Sequence, residues 1–216
     1  MTARVIRVPK PAAVGRTVAH AELRHSRRRA YRMGMPLPTP SYWTTALLAT
    51  LPDDGQRYEL VDGELLVSPG PTWDHQRLLM RLTRSLSAWL DRHPVGEILL
   101  APAPVAVDDT TEVQPDLFVV PARTPKPRDF HEAGGLLLVV EVLSPATARH
   151  DRFTKRRLYQ ALGVPQYWIV DAEARAVEVW TPGDRTPRLE REALRWTPDA
   201  AGEAFVLPVA ALLDPS

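Results

Sequence analysis

The sequence predicts an α/β fold in which a mixed β-sheet carries helices on its faces. Apolar residues recur at helical spacing over 74–91, between Leu78 and Leu90, as in an amphipathic helix. The run 136–143 is apolar at nearly every position, as in a strand that is covered on both faces. Strand-like and helical segments alternate around these two stretches, and that alternation favours a layered α/β domain.

Residues 1–40 are predicted to be a disordered basic tail ahead of a single domain over 41–216. They lack sustained periodicity and end in Pro36, Pro38 and Pro40. This segment has nine Lys and Arg residues against one acid and so carries +8, whereas the rest of the chain carries −7. A nucleic-acid-binding arm explains the charge, and so does a solvated extension.

Local patterns predict the elements of the domain in order. The turn of the first hairpin falls on Asp62-Gly63, a dipeptide suited to a two-residue type I′ turn. Gly163 ends the second long helix. The expected segments are a helix over 42–49, a hairpin over 58–61 and 64–68, a helix over 74–91, strands over 97–107, 116–120 and 136–143, a helix over 148–162, a hairpin over 166–171 and 176–181, and a short terminal element over 205–213.

Composition excludes several classes of function and location. The absence of cysteine excludes disulfides, thiolate zinc sites and cysteine nucleophiles. No apolar run reaches the roughly 18 residues of a membrane-spanning helix, and the basic N-terminus lacks the apolar segment of a secretory signal. Ser144 lacks the Gly-x-Ser-x-Gly context of a hydrolase nucleophile. We therefore expect a cytoplasmic protein with no membrane partner.

Two carboxylates in apolar surroundings indicate a metal site. Glu141 follows the run Leu136 to Val140, and Asp116 stands directly before another apolar stretch. An ionised carboxylate inside a strand costs several kcal/mol unless it is paired or metal-bound. Two of them on neighbouring strands would suit a hard cation such as Mg²⁺ or Mn²⁺.

Lys155 is the candidate positive group beside this site. The chain uses 24 arginines and only three lysines, so a lysine on the predicted helix over 148–162 is unusual for this protein. Asp151, Lys155 and Tyr159 fall at i, i+4 and i+8 and share one face of that helix. Such a cation can stabilise charge that develops on a phosphate, with Asp151 holding it in position.

Each of these residues also has a purely structural explanation. Glu141 could form a buried salt bridge with Arg149 or Lys155, and Asp116 could simply end a turn after a proline. Lys155 could be a solvated partner of Asp151. The sequence leaves these alternatives open.

Several blocks of residues together resemble the Uma-two family of the restriction-endonuclease-like PD-(D/E)XK superfamily. The resemblance covers about residues 40–182. It rests on Tyr58-Glu59-Leu60-Val61-Asp62-Gly63-Glu64-Leu65, His75, Gln114-Pro115-Asp116, Val140-Glu141-Val142-Leu143-Ser144-Pro145, and Tyr159 followed by Gly163-Val164-Pro165-Gln166-Tyr167-Trp168-Ile169-Val170-Asp171.

The resemblance implies a restriction-endonuclease-like core with added hairpins, in which Asp116 and Glu141 are the metal-binding acids. The usual superfamily lysine, two residues after the glutamate, would fall on Leu143, which cannot serve. In this family a lysine on the following helix is thought to take its place, and Lys155 matches that position. Glu64 and His75 are possible accessory residues, the first as a further carboxylate and the second as a contact to phosphate or to a metal ligand. An exposed hairpin position and a capping histidine are their respective alternatives.

Together, the residues and the resemblance predict a divalent-metal-dependent endonuclease. Asp116 and Glu141 would hold Mg²⁺ or Mn²⁺, and Lys155 would steady the attacking water and the phosphate. The superfamily points to DNA as substrate and to a homodimer. The competing interpretation is a non-catalytic binding or assembly module that retains the nuclease fold.

Overall fold

A computed structural model describes residues 42–122, 135–198 and 202–214, together with the backbone of residues 4–6. Its helices are α1 (Thr45–Leu48), α2 (Trp73–Leu90), α3 (Arg156–Ala161), which continues a π-helical turn (His150–Lys155), and α4 (Val209–Leu213). Its strands are β1 (Arg4–Ile6), β2 (Gln56–Val61), β3 (Glu64–Pro69), β4 (Gly96–Leu100), β5 (Val105–Asp108), β6 (Thr111–Val113), β7 (Leu117–Pro121), β8 (Leu138–Val142), β9 (Tyr167–Asp171), β10 (Ala176–Trp180), β11 (Arg188–Glu190), β12 (Ala193–Trp196) and β13 (Phe205–Pro208).

The larger sheet is mixed, as predicted. Its six strands lie in the order β11-β10-β9-β8-β7-β4, and β8 runs parallel to β9 while the other neighbours are antiparallel. A second, antiparallel sheet has the order β1-β3-β2-β6-β5. Strands β12 and β13 form a separate pair. The predicted mixed sheet with helices on its faces and added hairpins is confirmed.

The two faces of the six-stranded sheet bury different partners. One face packs Val140 and Trp168 against α2, through residues such as Leu82 and Leu86. The other face packs Val139 and Ile169 with residues of the second sheet and with α3. Because both faces are covered, β8 has no solvent-facing side, and this explains why its sequence is apolar at successive positions.

Local sequence explains where the main elements begin and turn. The Thr72 hydroxyl accepts a hydrogen bond from the His75 backbone N–H at 3.3 Å and so caps α2. Asp62 and Gly63 have φ values of 50° and 78°, as the predicted type I′ turn requires. A Cβ at Gly63 would fall 2.2 Å from the Tyr42 ring, so space as well as conformation selects glycine there.

Three predicted elements differ from the structure. The single strand expected over 97–107 is two strands in different sheets, β4 and β5, with Ala101-Pro102 between them. The helix expected over 148–162 is π-helical in its first half. We expected no order over residues 1–40, yet Arg4–Ile6 pair with β3 as an antiparallel strand. The rest of that segment lies outside the described residues. Strands β6, β11 and β12 were not predicted.

None of the helices in the described part of the chain has the length and apolar character needed to span a membrane.

Candidate active site

Asp116 and Glu141 meet where β7 begins and β8 ends. Asp116 stands directly before β7, which pairs with β8 through Leu117 and Val140. The side chains of both acids are buried, each with 2% of its surface exposed. The backbone N–H of Val142 donates to Asp116 Oδ2 at 2.8 Å, so the carboxylate is tied to the strand that carries Glu141. The prediction that the two acids come together therefore agrees with this geometry.

Two side chains from other elements hold Asp116. Arg57 Nη1, from β2, donates to Oδ1 at 2.9 Å, and His75 Nε2, from the first turns of α2, donates to Oδ2 at 2.9 Å. Burial raises the pKa of Asp116, but the His75 hydrogen bond and the Arg57 charge outweigh burial and hold that pKa well below its usual value. Asp116 is therefore ionised at neutral pH.

Lys155 lies in a buried cluster of carboxylates. Its Nζ is 2.9 Å from Glu141 Oε1, 2.9 Å from Glu59 Oε2 and 3.6 Å from Asp151 Oδ1. Burial alone lowers the pKa of Lys155, yet the three carboxylates raise that pKa well above its usual value. The π-helical turn places Asp151 and Lys155 on the same buried face. Lys155 therefore stays charged.

The cluster holds more negative than positive charge. Glu59, Asp116, Glu141 and Asp151 are four carboxylates, and Arg57 and Lys155 are two cations, which leaves a formal charge of −2 when histidine is not counted. Burial raises the pKa of Asp151 to about 6, although Lys155 opposes this rise. Burial, with the Asp116 and Asp151 charges, also raises the pKa of Glu141 well above its usual value. Additional positive charge would therefore stabilise the site.

A pocket of about 400 Å³ opens onto Asp116 and Glu141. Its walls also include Arg57, His75 and two loops, one over 68–72 at the end of β3 and one over 144–147 after β8. Lys155 does not line this pocket, but it lines a much smaller space together with Glu59 and Asp151. A ligand in this pocket therefore reaches the two acids and does not reach Lys155.

The structure brings most of the predicted residues together. His75 contacts Asp116, and Asp151 lies beside Lys155. The Glu141–Lys155 contact is a buried ion pair, one of the alternatives that the sequence left open. Glu64 is not brought to the pocket, because it starts β3, whereas the pocket is lined by the opposite end of that strand. Glu64 is roughly 13 Å along the strand from Ser68.

Sequence reasoning missed Arg57 and Glu59. Glu59 is 3% exposed and accepts the Gln114 N–H at 2.8 Å while it pairs with Lys155. A carboxylate beside apolar residues of a strand is the pattern that identified Glu141, and Glu59 shows the same pattern because it precedes the apolar pair Leu60-Val61. Arg57 carries no comparable local signal, and only the packing of the two sheets places it beside Asp116.

Comparison with known proteins identifies the family of the chain. The profile of the Uma2 family, described as "putative restriction endonuclease", matches residues 46–210. The chain belongs to the Uma2 family. The matched range contains all the residues of the buried cluster, from Arg57 to Lys155, so the site lies within the family's domain.

A solved structure shares the fold of this Uma2 protein. It is described as a putative nuclease belonging to DUF820 from Anabaena variabilis ATCC 29413. The two structures superpose with a TM-score of 0.64 at 20% sequence identity, over 79% of this chain and 97% of that chain. This likeness shows a nuclease-like fold, as the resemblance implied. None of the curated proteins compared with the chain matches it.

Proposed function

We propose that this Uma2 protein is a divalent-metal-dependent endonuclease that hydrolyses phosphodiester bonds in DNA. One observation carries the proposal: two buried carboxylates, Asp116 and Glu141, face one pocket within a cluster whose formal charge is −2. The description of the family and the fold of the solved neighbour support the same reaction class. DNA as substrate follows from the resemblance to restriction endonucleases.

The residues present fit a small divalent cation. A charge of +2 would balance the formal −2 of the cluster, and carboxylate oxygens are the ligands that Mg²⁺ and Mn²⁺ prefer. Within the described residues no group of three or more His, Asp or Glu side chains is arranged as a metal site. Mg²⁺ is usually bound through one or two carboxylates together with waters and substrate phosphates, so Asp116 and Glu141 would be its protein ligands.

The bound cation would supply Lewis acidity and lower the pKa of a coordinated water. The chain's own residues position the acids that hold it. Lys155 and the Tyr159 hydroxyl both contact Oε1 of Glu141, at 2.9 and 3.5 Å, and the Val142 N–H fixes Oδ2 of Asp116. In this proposal Lys155 orients Glu141, because it is buried behind that side chain rather than in the pocket wall.

The test is cleavage of plasmid, single-stranded and branched DNA with Mg²⁺ or Mn²⁺, with EDTA as the metal-free control. The Glu141→Gln variant should lose cleavage, because the neutral amide binds the cation poorly. Glu97→Gln is the matched control, since Glu97 is an exposed glutamate on β4. If Glu141→Gln cleaves DNA at the parent rate, the assignment of Glu141 to the active site is refuted.

A second candidate is a binding module that keeps the nuclease fold without catalysis. It is favoured by the contacts of the acids, because Arg57, His75 and Lys155 already hold Asp116 and Glu141 without a metal. Calorimetry with Mn²⁺ separates the two candidates. Binding that is lost in Asp116→Asn supports the nuclease, whereas no binding by the parent protein supports the module.

A further inference from the structure

A strongly basic side chain lines the pocket wall, and it is not the predicted lysine. Among the described residues that line the pocket, Arg57 is the only arginine or lysine. Lys155 is committed to Glu59 and Glu141, with Asp151 nearby, and it lies outside the pocket wall. A phosphate that enters the pocket therefore meets Arg57 as its available cation.

Several N–H donors of the Arg57 side chain have no hydrogen-bond partner among the described residues. Its side chain is 16% exposed, and its hydrogen bonds within the described part of the chain come from Nη1 alone, to Asp116 Oδ1 at 2.9 Å and to Gln114 O at 3.4 Å. A guanidinium carries five N–H donors in a planar fork that matches two oxygens of a phosphate group. Arg57 therefore has the chemistry of a phosphate-binding residue.

Arg57 also occupies an oxygen that a divalent cation would need. Asp116 Oδ1 contacts Arg57, whereas Oδ2 contacts His75 and the Val142 N–H. The Val142 N–H is fixed in β8, and His75 is fixed by the start of α2. Arg57 is the longest and most flexible of the three donors, so it is the contact that a cation at Asp116 would displace.

We propose that Arg57 and the divalent cation compete for Asp116, and that the displaced Arg57 guanidinium binds the non-bridging oxygens of the phosphodiester in the pocket. The inference rests on the proposed function for its metal and for the chemical class of its ligand. It assigns to Arg57 the contact with phosphate that the sequence assigned to Lys155. It also makes phosphate binding depend on the metal, because without the metal the charge of the Arg57 guanidinium stays neutralised by Asp116.

Two binding measurements test this proposal without any cleavage. Calorimetry measures the affinity for Mn²⁺ alone, and ³¹P line broadening by bound Mn²⁺ measures the affinity for dimethyl phosphate. In Arg57→Gln we expect Mn²⁺ to bind about fivefold more tightly, because a competing cation has been removed. Dimethyl phosphate should bind about tenfold more weakly, because its guanidinium partner is absent. Arg57→Lys should retain part of the phosphate affinity, since it keeps the charge and loses the fork.

The matched control is Arg84→Gln, an exposed arginine on α2, which should leave both affinities unchanged. Circular dichroism verifies that each variant is folded, and the parent protein tests the proposal even if Arg57→Gln does not fold. In the parent, dimethyl phosphate binding must require a divalent cation, which is checked with Mg²⁺ by calorimetry against a metal-free titration.

Three results would overturn the proposal: a parent protein that binds no Mn²⁺, a parent that binds dimethyl phosphate equally without metal, or a folded Arg57→Gln variant with unchanged affinities. The first of these results would also contradict the nuclease proposal, whereas the other two concern Arg57 alone. If the parent binds Mn²⁺ and dimethyl phosphate as expected but cleaves no DNA, the proposed role of Arg57 is supported and the proposed nuclease activity is refuted.

Discussion

Removal of Lys155 should destabilise this Uma2 protein strongly at neutral pH. Lys155 is 2% exposed and is 2.9 Å from both Glu59 and Glu141. Lys155→Met keeps a side chain of similar length and leaves these carboxylates, with Asp151, without their cation. Loss of one partner of a buried ion pair costs about 3–5 kcal/mol in the free energy of unfolding. Because small domains have only about 5–15 kcal/mol in total, the variant should be close to unfolding.

Urea denaturation followed by far-UV circular dichroism measures this loss. With a slope of about 1–3 kcal/mol per molar urea, the midpoint should fall by roughly 2 M. Arg84→Met is the matched control, because it removes an exposed cation from α2 and should shift the midpoint little. A loss below about 1 kcal/mol in Lys155→Met would refute the account of Lys155 as the cation that holds the cluster together.

The same loss should shrink at acid pH. In the variant the pKa values of Glu141 and Asp151 rise further, because the charge of Lys155 lowers both of them in the parent. The folded variant then binds protons at higher pH than the folded parent does, whereas the two unfolded chains, with carboxyl pKa values of about 4, titrate alike from neutral to acid pH. Stability relative to the parent therefore increases as the pH falls. A difference that is independent of pH over this range would contradict the mechanism.

Three further predictions concern single side chains. Asp151→Asn should stabilise the metal-free protein by about 1–3 kcal/mol near pH 7.5 and should change its stability little below pH 4. The reason is that the pKa of Asp151 is about 6 in the folded protein and 3.8 in the unfolded chain, so the ionised carboxylate destabilises the fold only at the higher pH. Urea midpoints at the two pH values would measure this difference. Trp168→Ala should cost about 3–5 kcal/mol in a urea titration, since Trp168 is fully buried in the core. Gly63→Ala should lower the thermal midpoint by several degrees, which corresponds to a loss of roughly 1 kcal/mol or more in the free energy of unfolding. Gly63 has a φ of 78°, and the Cβ of an alanine there would clash with the Tyr42 ring. An unchanged midpoint would refute this reasoning.

Elements with a strong local signal were predicted closely. The amphipathic helix over 74–91 is α2, Trp73–Leu90, because its buried leucines lie on one face and Thr72 caps it. The hairpin at Asp62-Gly63 follows from two residues that tolerate positive φ. The prediction of a single strand over 97–107 was wrong, because a hydrophobic pattern does not distinguish one long strand from two successive strands that belong to different sheets.

The sequence alone determined that Asp116 and Glu141 are unusual. Each is a carboxylate beside an apolar strand, and only pairing or a metal offsets the cost of its burial. The sequence also placed Lys155 on the same helix face as Asp151, because residues four apart on a helix are neighbours.

Only the tertiary structure decided which charges surround these acids. Arg57 reaches Asp116 across 59 positions of the chain, and Glu59 reaches Lys155 when the second sheet packs against the first. Such contacts depend on how two sheets and a helix pack, which no local pattern encodes. The same packing buries Lys155 behind Glu141 and leaves Arg57 in the pocket wall, and the separate roles that we propose for the two cations rest on this physical difference.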